Sequence, residues 1–203
     1  MRLYESSRAP NPRRVRIFLA EKGVEVPAEQ VDLAAEEQKS SEFTALNPLQ
    51  RVPVLVLDDG TVIAESIAIC RYFERLRPEP ALFGRGAKAE ALVEMWNRRM
   101  ELNLLAAVSN VFRHTHPAMR HLETPQVAEW AEVNKPRIID FLGIVDAELK
   151  DQLYVTGDHF TVADITGLVA VDFMKPAKVT VPEEFANVRR WHAHVSARPS
   201  AKA

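Results

Sequence analysis

Cysteine occurs once in this 203-residue chain, at position 70. A single thiol forbids an internal disulfide and any cysteine-based zinc site, and it fits a reducing compartment. Glycine is scarce as well, with seven residues at 23, 60, 84, 86, 143, 157 and 167. None of them falls into a GxGxxG or a Walker-type spacing, which excludes nucleotide binding through a glycine-rich phosphate cradle. No apolar run approaches the roughly 20 residues of a membrane-spanning helix, so no membrane partner is expected. Charge of one sign is missing too: 26 Lys and Arg face 28 Asp and Glu, and neither half of the chain is basic. The electrostatic footprint of a nucleic-acid binder is therefore absent. The one local basic cluster, Arg13, Arg14 and Arg16, reads as a solvated helix face. His114 and His116 do not read as a metal pair, because helix positions two apart do not share a face; no metal is expected. What is plentiful is apolar side chain, 47% of residues, enough for an unstapled core. Met1 to Glu5 begins like a strand of a mature cytosolic protein rather than a signal peptide, and a cytoplasmic location is expected.

Two regions differ in grammar. Residues 1–78 mix short strand-like runs with helices, residues 87–203 are almost wholly helical in pattern, and 79–86 is a linker rich in proline and glycine. In the first region Leu3-Tyr4 precedes a polar loop from Ser6 to Asn11. Pro12 suits a first helical position, and the apolar Val15, Ile17, Phe18 and Leu19 lead to Gly23 as a left-handed stop. Val31 and Leu33 flank Asp32 in a weak second strand. Glu36 to Leu46 is helix-permissive until Asn47-Pro48 ends it. The run Val52 to Leu57, then Asp58-Asp59-Gly60 and Thr61-Val62-Ile63, is a hairpin signal. Ala64 to Leu76 suits a helix packed on that hairpin, with Cys70 on its buried pattern. A βαβ unit followed by a hairpin and a final helix gives a small four-stranded sheet, a thioredoxin-like α/β domain. No CxxC is present, so disulfide exchange by this chain alone is not expected. In the second region helices are expected over 88–113, 125–150, 161–175 and 187–197. Trp96, Met100, Leu104 and Leu105 recur at helical spacing as core or subunit contact. Thr161 and Asp164 are spaced as a capping box, with Phe160 and Ile165 as its staple.

The segment Asn47-Pro48-Leu49-Gln50-Arg51-Val52-Pro53-Val54-Leu55 resembles the N-P-x-x-x-V-P-x-L segment of cytosolic glutathione transferases. Glu65-Ser66-Ile67-Ala68-Ile69 resembles their E-S-x-A-I segment, Gly157 to Asp164 their capping-box helix, and Trp191 with Ser196-Ala197-Arg198-Pro199 their C-terminal tail. The motifs span nearly the whole chain in order. The resemblance implies a thioredoxin-like domain that binds glutathione and an all-helical domain that contributes the site for a small hydrophobic electrophile, around Val108 to His116. It also implies a cytoplasmic homodimer with a detoxifying transferase activity. Pro53 would be cis, with Val52 offering its backbone to the cysteinyl part of glutathione. Glu65 and Ser66 would take the ammonium and carboxylate of the γ-glutamyl end, for which a helix N-terminus with a hydroxyl is a suitable receptor. Gln38 and Arg51 would hold the glycine end.

Catalysis in this family needs the glutathione thiolate, which is the nucleophile. Members place a Tyr, Ser or Cys in the first loop to stabilise it, and here Ala9-Pro10-Asn11 stands in that place. The form Ala9-Pro10-Asn11-Pro12-Arg13-Arg14-Val15 is similar to a bacterial and fungal group that lacks the usual residue. Three donors stay open: Asn11 by its side-chain amide or backbone N–H, Ser7 if the loop folds back, and His114, His116 or Ser109 through a water. Each histidine has the alternative of a helix-terminal side chain facing solvent or the dipole. Tyr4 ranks below Asn11. A non-catalytic glutathione-binding or regulatory protein of the same fold is the competing expectation, and a peroxidase or isomerase would use the same thiolate.

Overall fold

A computed structural model describes all 203 residues. The chain forms two compact units, Met1–Ala81 with Lys202–Ala203 and Leu82–Ala201. The division falls inside the proline- and glycine-rich segment.

The first unit holds β1 (Arg2–Glu5), α1 (Pro10–Lys22), β2 (Ala28–Gln30), α2 (Ser41–Leu46), β3 (Val54–Val56), β4 (Val62–Ala64) and α3 (Ser66–Leu76). Its sheet runs β2-β1-β3-β4, with β1 parallel to β2 and antiparallel to β3, and β3 antiparallel to β4. Leu3 stands opposite Ala28 on one side and Leu55 on the other. This is the thioredoxin-like arrangement expected from the order of elements.

Helix α1 starts at Pro10, two residues earlier than Pro12, so Asn11 lies within its first turn. Both prolines preset a helical φ and lack an N–H that a helix start could not use. Val15, Ile17 and Phe18 face inward with no exposure, and Gly23 ends the helix at φ 60°. The second strand is Ala28–Gln30, not Val31 to Leu33. Val31 instead packs with Phe43, Val52 and Val54, so its apolar character serves the core beneath the strand end rather than the ladder. Asp32 Oδ1 accepts from the N–H groups of Ala34 and Ala35 and turns the chain there. The stretch expected as helix over 36–46 divides. A 3-10 turn at Glu37–Lys39 precedes α2, whose cap Ser40 accepts from Phe43 N at 3.1 Å.

The second unit is helical: α4 (Gly86–Arg99), α5 (Ala106–Thr115), α6 (Ala128–Glu148), α7 (Val162–Met174) and α8 (Ala186–Ser196). Between α4 and α5 the backbone stays helical but widens to a π-turn at Met100–Leu105. Trp96, Met100, Leu104 and Leu105 are buried. Helix α7 is buried over almost its whole surface, and the Thr161–Asp164 capping box closes its start. Asp164 Oδ2 accepts from Thr161 N at 3.0 Å, and Oδ1 accepts from Val155 N at 3.0 Å and Trp191 Nε1 at 2.9 Å. Phe160 sits edge-on to Tyr154 and under the Arg198 guanidinium. No helix of the structure is long and apolar enough to cross a membrane.

Candidate functional site

In the first unit, the turn before β3 and the starts of α1 and α3 carry the expected site residues. Asn47 shapes the turn before β3. It is buried, its Nδ2 donates to Arg51 O at 2.8 Å, and its Oδ1 accepts from Leu49 N at 3.1 Å. Gln50, at φ 54°, ties back by its N–H to Asn47 O and by its amide to Thr44 Oγ1. The turn delivers Val52, whose peptide bond to Pro53 is cis. Val52 lies outside the ladder, and no other part of the chain takes its N–H or C=O. An amide edge left open beside a buried proline is available to an extended ligand backbone.

Helix α3 begins next to it. Glu65 is the cap residue, at φ 72° and ψ 119°, a conformation that L-residues seldom adopt. Its carboxylate is exposed, and no side chain caps the helix, so the first N–H groups of α3 are unspent. Ser66, the first helical residue, is buried, and its Oγ accepts from Arg14 Nη1 at 3.1 Å. Unspent N–H groups at an uncapped helix start are what an anion receptor needs. Arg51 is exposed at the end of the turn. Gln38 is buried, and its Oε1 has no hydrogen-bond partner.

The first loop is held firmly. Glu5, at the end of β1, is buried and receives Arg16 Nη1 and Gln30 Nε2. These two partners also grip Ser7, whose N–H donates to Gln30 Oε1 at 3.0 Å while its C=O accepts from Arg16 Nη2 at 3.1 Å. Arg16 thus braces the loop, while Arg14 is turned to the start of α3 at Ser66. The solvated face expected for the basic cluster is corrected, since Arg14 has no exposure at all and Arg16 pairs with a buried carboxylate. In the first turn of α1, Pro10 and Pro12 have no N–H and Arg13 N donates to Ala9 O, which leaves the Asn11 N–H as the unspent donor. Ala9, the cap residue, supplies no side-chain bond.

In the second unit, His114 Nδ1 accepts from Val127 N at 3.1 Å. Its other ring nitrogen, Nε2, lies 3.9 Å from Glu123 Oε1. His116 accepts from Ala118 N by Nδ1 and stacks on Phe112 with ring centroids 4.5 Å apart. Gln126 caps the end of α5 by donating to Arg113 O and His116 O. Both histidines thus tie the segment after α5 to its helix. No group of three metal-ligating side chains converges in the structure. Cys70 is fully buried, and burial pushes its thiol up to about 12, against the pull of the Arg14 charge. It is not a nucleophile at neutral pH.

Sequence reading missed Arg14, Asn47 and the Glu5–Arg16–Gln30 brace. The signal for Arg14 was present: it stands three and four residues before Ile17 and Phe18, on the apolar stripe of α1.

Residues 9–76 match the family model described as the glutathione S-transferase N-terminal domain, and residues 103–199 match the glutathione S-transferase C-terminal domain. The chain is 38% identical over 205 residues to glutathione S-transferase 2 of Saccharomyces cerevisiae, covering all of this chain and 88% of that one. A solved glutathione S-transferase domain-containing protein from Marinobacter aquaeolei is 39% identical with a TM-score of 0.95, over 98% of this chain and 99% of that one. The crystal structure of Gtt2 from Saccharomyces cerevisiae is 38% identical with a TM-score of 0.94, over 100% and 99%. With both domain models matched in chain order and whole-length relatives this similar, the chain belongs to the glutathione S-transferase family.

Proposed function

We propose that this glutathione transferase binds glutathione in its sheet-containing unit, favours the thiolate, and joins it to a small hydrophobic electrophile. The observation that carries this reading is the set of unspent backbone groups at one turn and two helix starts: both edges of Val52, the first N–H groups of α3, and the Asn11 N–H. Val52, next to the cis Pro53, pairs with the cysteinyl backbone of the ligand. Ser66 and the start of α3 hold the γ-glutamyl carboxylate, and Glu65 pairs with its ammonium. Arg51 and Gln38 hold the carboxylate of the glycine end.

The Asn11 N–H, at the positive end of α1, donates to the sulfur and lowers its pKa. The thiol proton leaves to solvent. The thiolate then forms the carbon–sulfur bond as the leaving group departs from the electrophile with the bonding electrons. Ser7 and His114 are the alternative thiolate donors. Asn11 is favoured over both because its N–H stands unspent at the start of α1, in the loop where the family places its activating residue. The homodimeric state and cytoplasmic location implied by the resemblance belong to this proposal, and the single buried cysteine fits a reducing compartment.

One observation favours a second reading, a passive glutathione binder: the cap of α1 is Ala9, which has no activating side chain. Titration calorimetry with glutathione, followed by ultraviolet titration of the bound thiolate, separates the two. The expected result is binding with a thiol pKa at least one unit below the free value of about 8.5. Binding with an unshifted thiol leaves the passive reading, and no binding by the folded chain defeats both. A peroxidase or isomerase would use the same thiolate, and assays with peroxide and with a model aryl halide distinguish them.

A further inference from the structure

Arg14 is fully buried in α1, the helix that packs against α3, and its Nη1 donates to Ser66 Oγ at 3.1 Å. A serine hydroxyl has one proton and two lone pairs, whereas a guanidinium has only protons to give and stays charged. The lone pair facing Arg14 is therefore taken, and the Ser66 proton has to point elsewhere. Left to itself a hydroxyl rotates and donates to whatever is nearest. Here it is held as an acceptor on one side and must donate on the other. A hydrogen bond received from a cation also polarises the O–H and strengthens it as a donor. Packing alone does not call for this residue. The stripe it shares with Ile17 and Phe18 would be filled by an apolar side chain at no desolvation cost, whereas burying a charge is expensive.

We propose that Arg14 is a positioning residue for ligand recognition, locking the Ser66 hydroxyl as a donor to the free α-carboxylate of a γ-glutamyl ligand. This rests on the reading of Ser66 as a glutathione contact and adds to it a basis for selectivity. A carboxylate accepts from the oriented hydroxyl and feels the fixed charge behind it, while a carboxamide gains neither fully. Arg14 acts through Ser66 and does not touch the reacting sulfur, so its effect falls on binding rather than on turnover.

The test is a cycle on the intact protein with Arg14→Gln, Ser66→Ala and the double variant. Each is titrated with glutathione and with an analogue whose γ-glutamyl α-carboxylate is a carboxamide, after circular dichroism has verified the fold. Arg14→Gln should weaken glutathione binding about ten- to hundredfold, the range of a hydrogen bond to a charged group. It should change the affinity for the carboxamide by less than about threefold, and raise KM with kcat at saturating glutathione unchanged. In the Ser66→Ala background the same substitution should add almost nothing. Unchanged glutathione affinity, an equal loss for both ligands, or a full additional loss in the double variant would each overturn the proposal, the last two by marking a general structural role. Should Arg14→Gln not fold, Arg14→Lys keeps the charge without the planar fork and is expected to give a smaller loss with the same ligand preference, judged by the same outcomes. A wild-type protein that binds neither ligand overturns the glutathione reading itself. A wild type that binds normally beside an unaffected Arg14 variant overturns only the role given to Arg14.

Discussion

Asn11 matters for its backbone more than for its side chain. It sits between two prolines that have no N–H, and Arg13 N is already bonded to Ala9 O, so the Asn11 N–H is what α1 offers at its positive end. Two substitutions at one position test that assignment. Asn11→Ala keeps the N–H and should change kcat/KM by less than about threefold, below the tenfold that 1.4 kcal/mol represents. Asn11→Asp places a negative charge where the thiolate forms and should raise the bound thiol pKa by about one unit or more. Thiolate absorbance against pH reads both variants. A large shift in Asn11→Ala would transfer the role to the side-chain amide. At the same scale, Arg14 marks where a sequence misleads. Three arginines within four positions look like a wet face, and only packing reveals that one is buried against Ser66 and another is clamped to Glu5. Charge type is written in the sequence, but the exposure of a charge is decided by what the neighbouring helix brings to it.

Helix α7 and its neighbours show the same division one level up. Its existence, its start at Thr161 and the role of Asp164 were legible, because a capping box is a local pattern. The closeness of its packing was not. A Cβ added at Gly167 would lie 2.9 Å from Trp191 Cη2 and 3.3 Å from Met100 Sδ. Helix propensity alone favours alanine over glycine by about 1 kcal/mol. The clash outweighs that gain, because Trp191 is buried and its indole is fixed by the bond to Asp164. Gly167→Ala should therefore destabilise the protein by a net 1–3 kcal/mol or so, read as a lower urea midpoint. A gain in stability would mean that Trp191 yields. In the first unit, element type and order were legible from hydrophobic runs and turn residues, whereas β2 was displaced from Val31–Leu33 to three exposed residues. Edge strands are paired by their backbone, and exposed side chains such as those of Ala28, Glu29 and Gln30 carry no apolar signal. The cis bond at Pro53 came from family resemblance, and the local residues alone would not have predicted it.

Taken as a whole, the molecule keeps its polar groups in two different ways. The sheet-containing unit leaves donors open for a ligand, at Asn11, Val52 and the start of α3. The helical unit closes its polar groups on themselves around Asp164, where Val155 N, Thr161 N, Thr161 Oγ1 and Trp191 Nε1 all donate to one buried carboxylate. Burial pushes that carboxyl up to about 6 from its ordinary 3.8, and the four donors oppose the push without cancelling it. A carboxyl whose folded pKa lies above its unfolded one stabilises the fold most when protonated. Its contribution is complete below about pH 4, declines as pH rises towards 6, and is then lost. An upward shift of about two units corresponds to roughly 3 kcal/mol across that window. Asparagine at 164 has no charge to lose, so the stability difference between wild type and Asp164→Asn should be largest near pH 4 and shrink by up to this amount by pH 7. Urea unfolding at intervals through the range measures the difference. Because Trp191 donates directly to Asp164, its fluorescence should follow the same titration with a midpoint near 6. A difference that stays flat from pH 4 to 7, with no change in Trp191 emission, would mean that the four donors outweigh burial and keep the carboxylate ionised throughout.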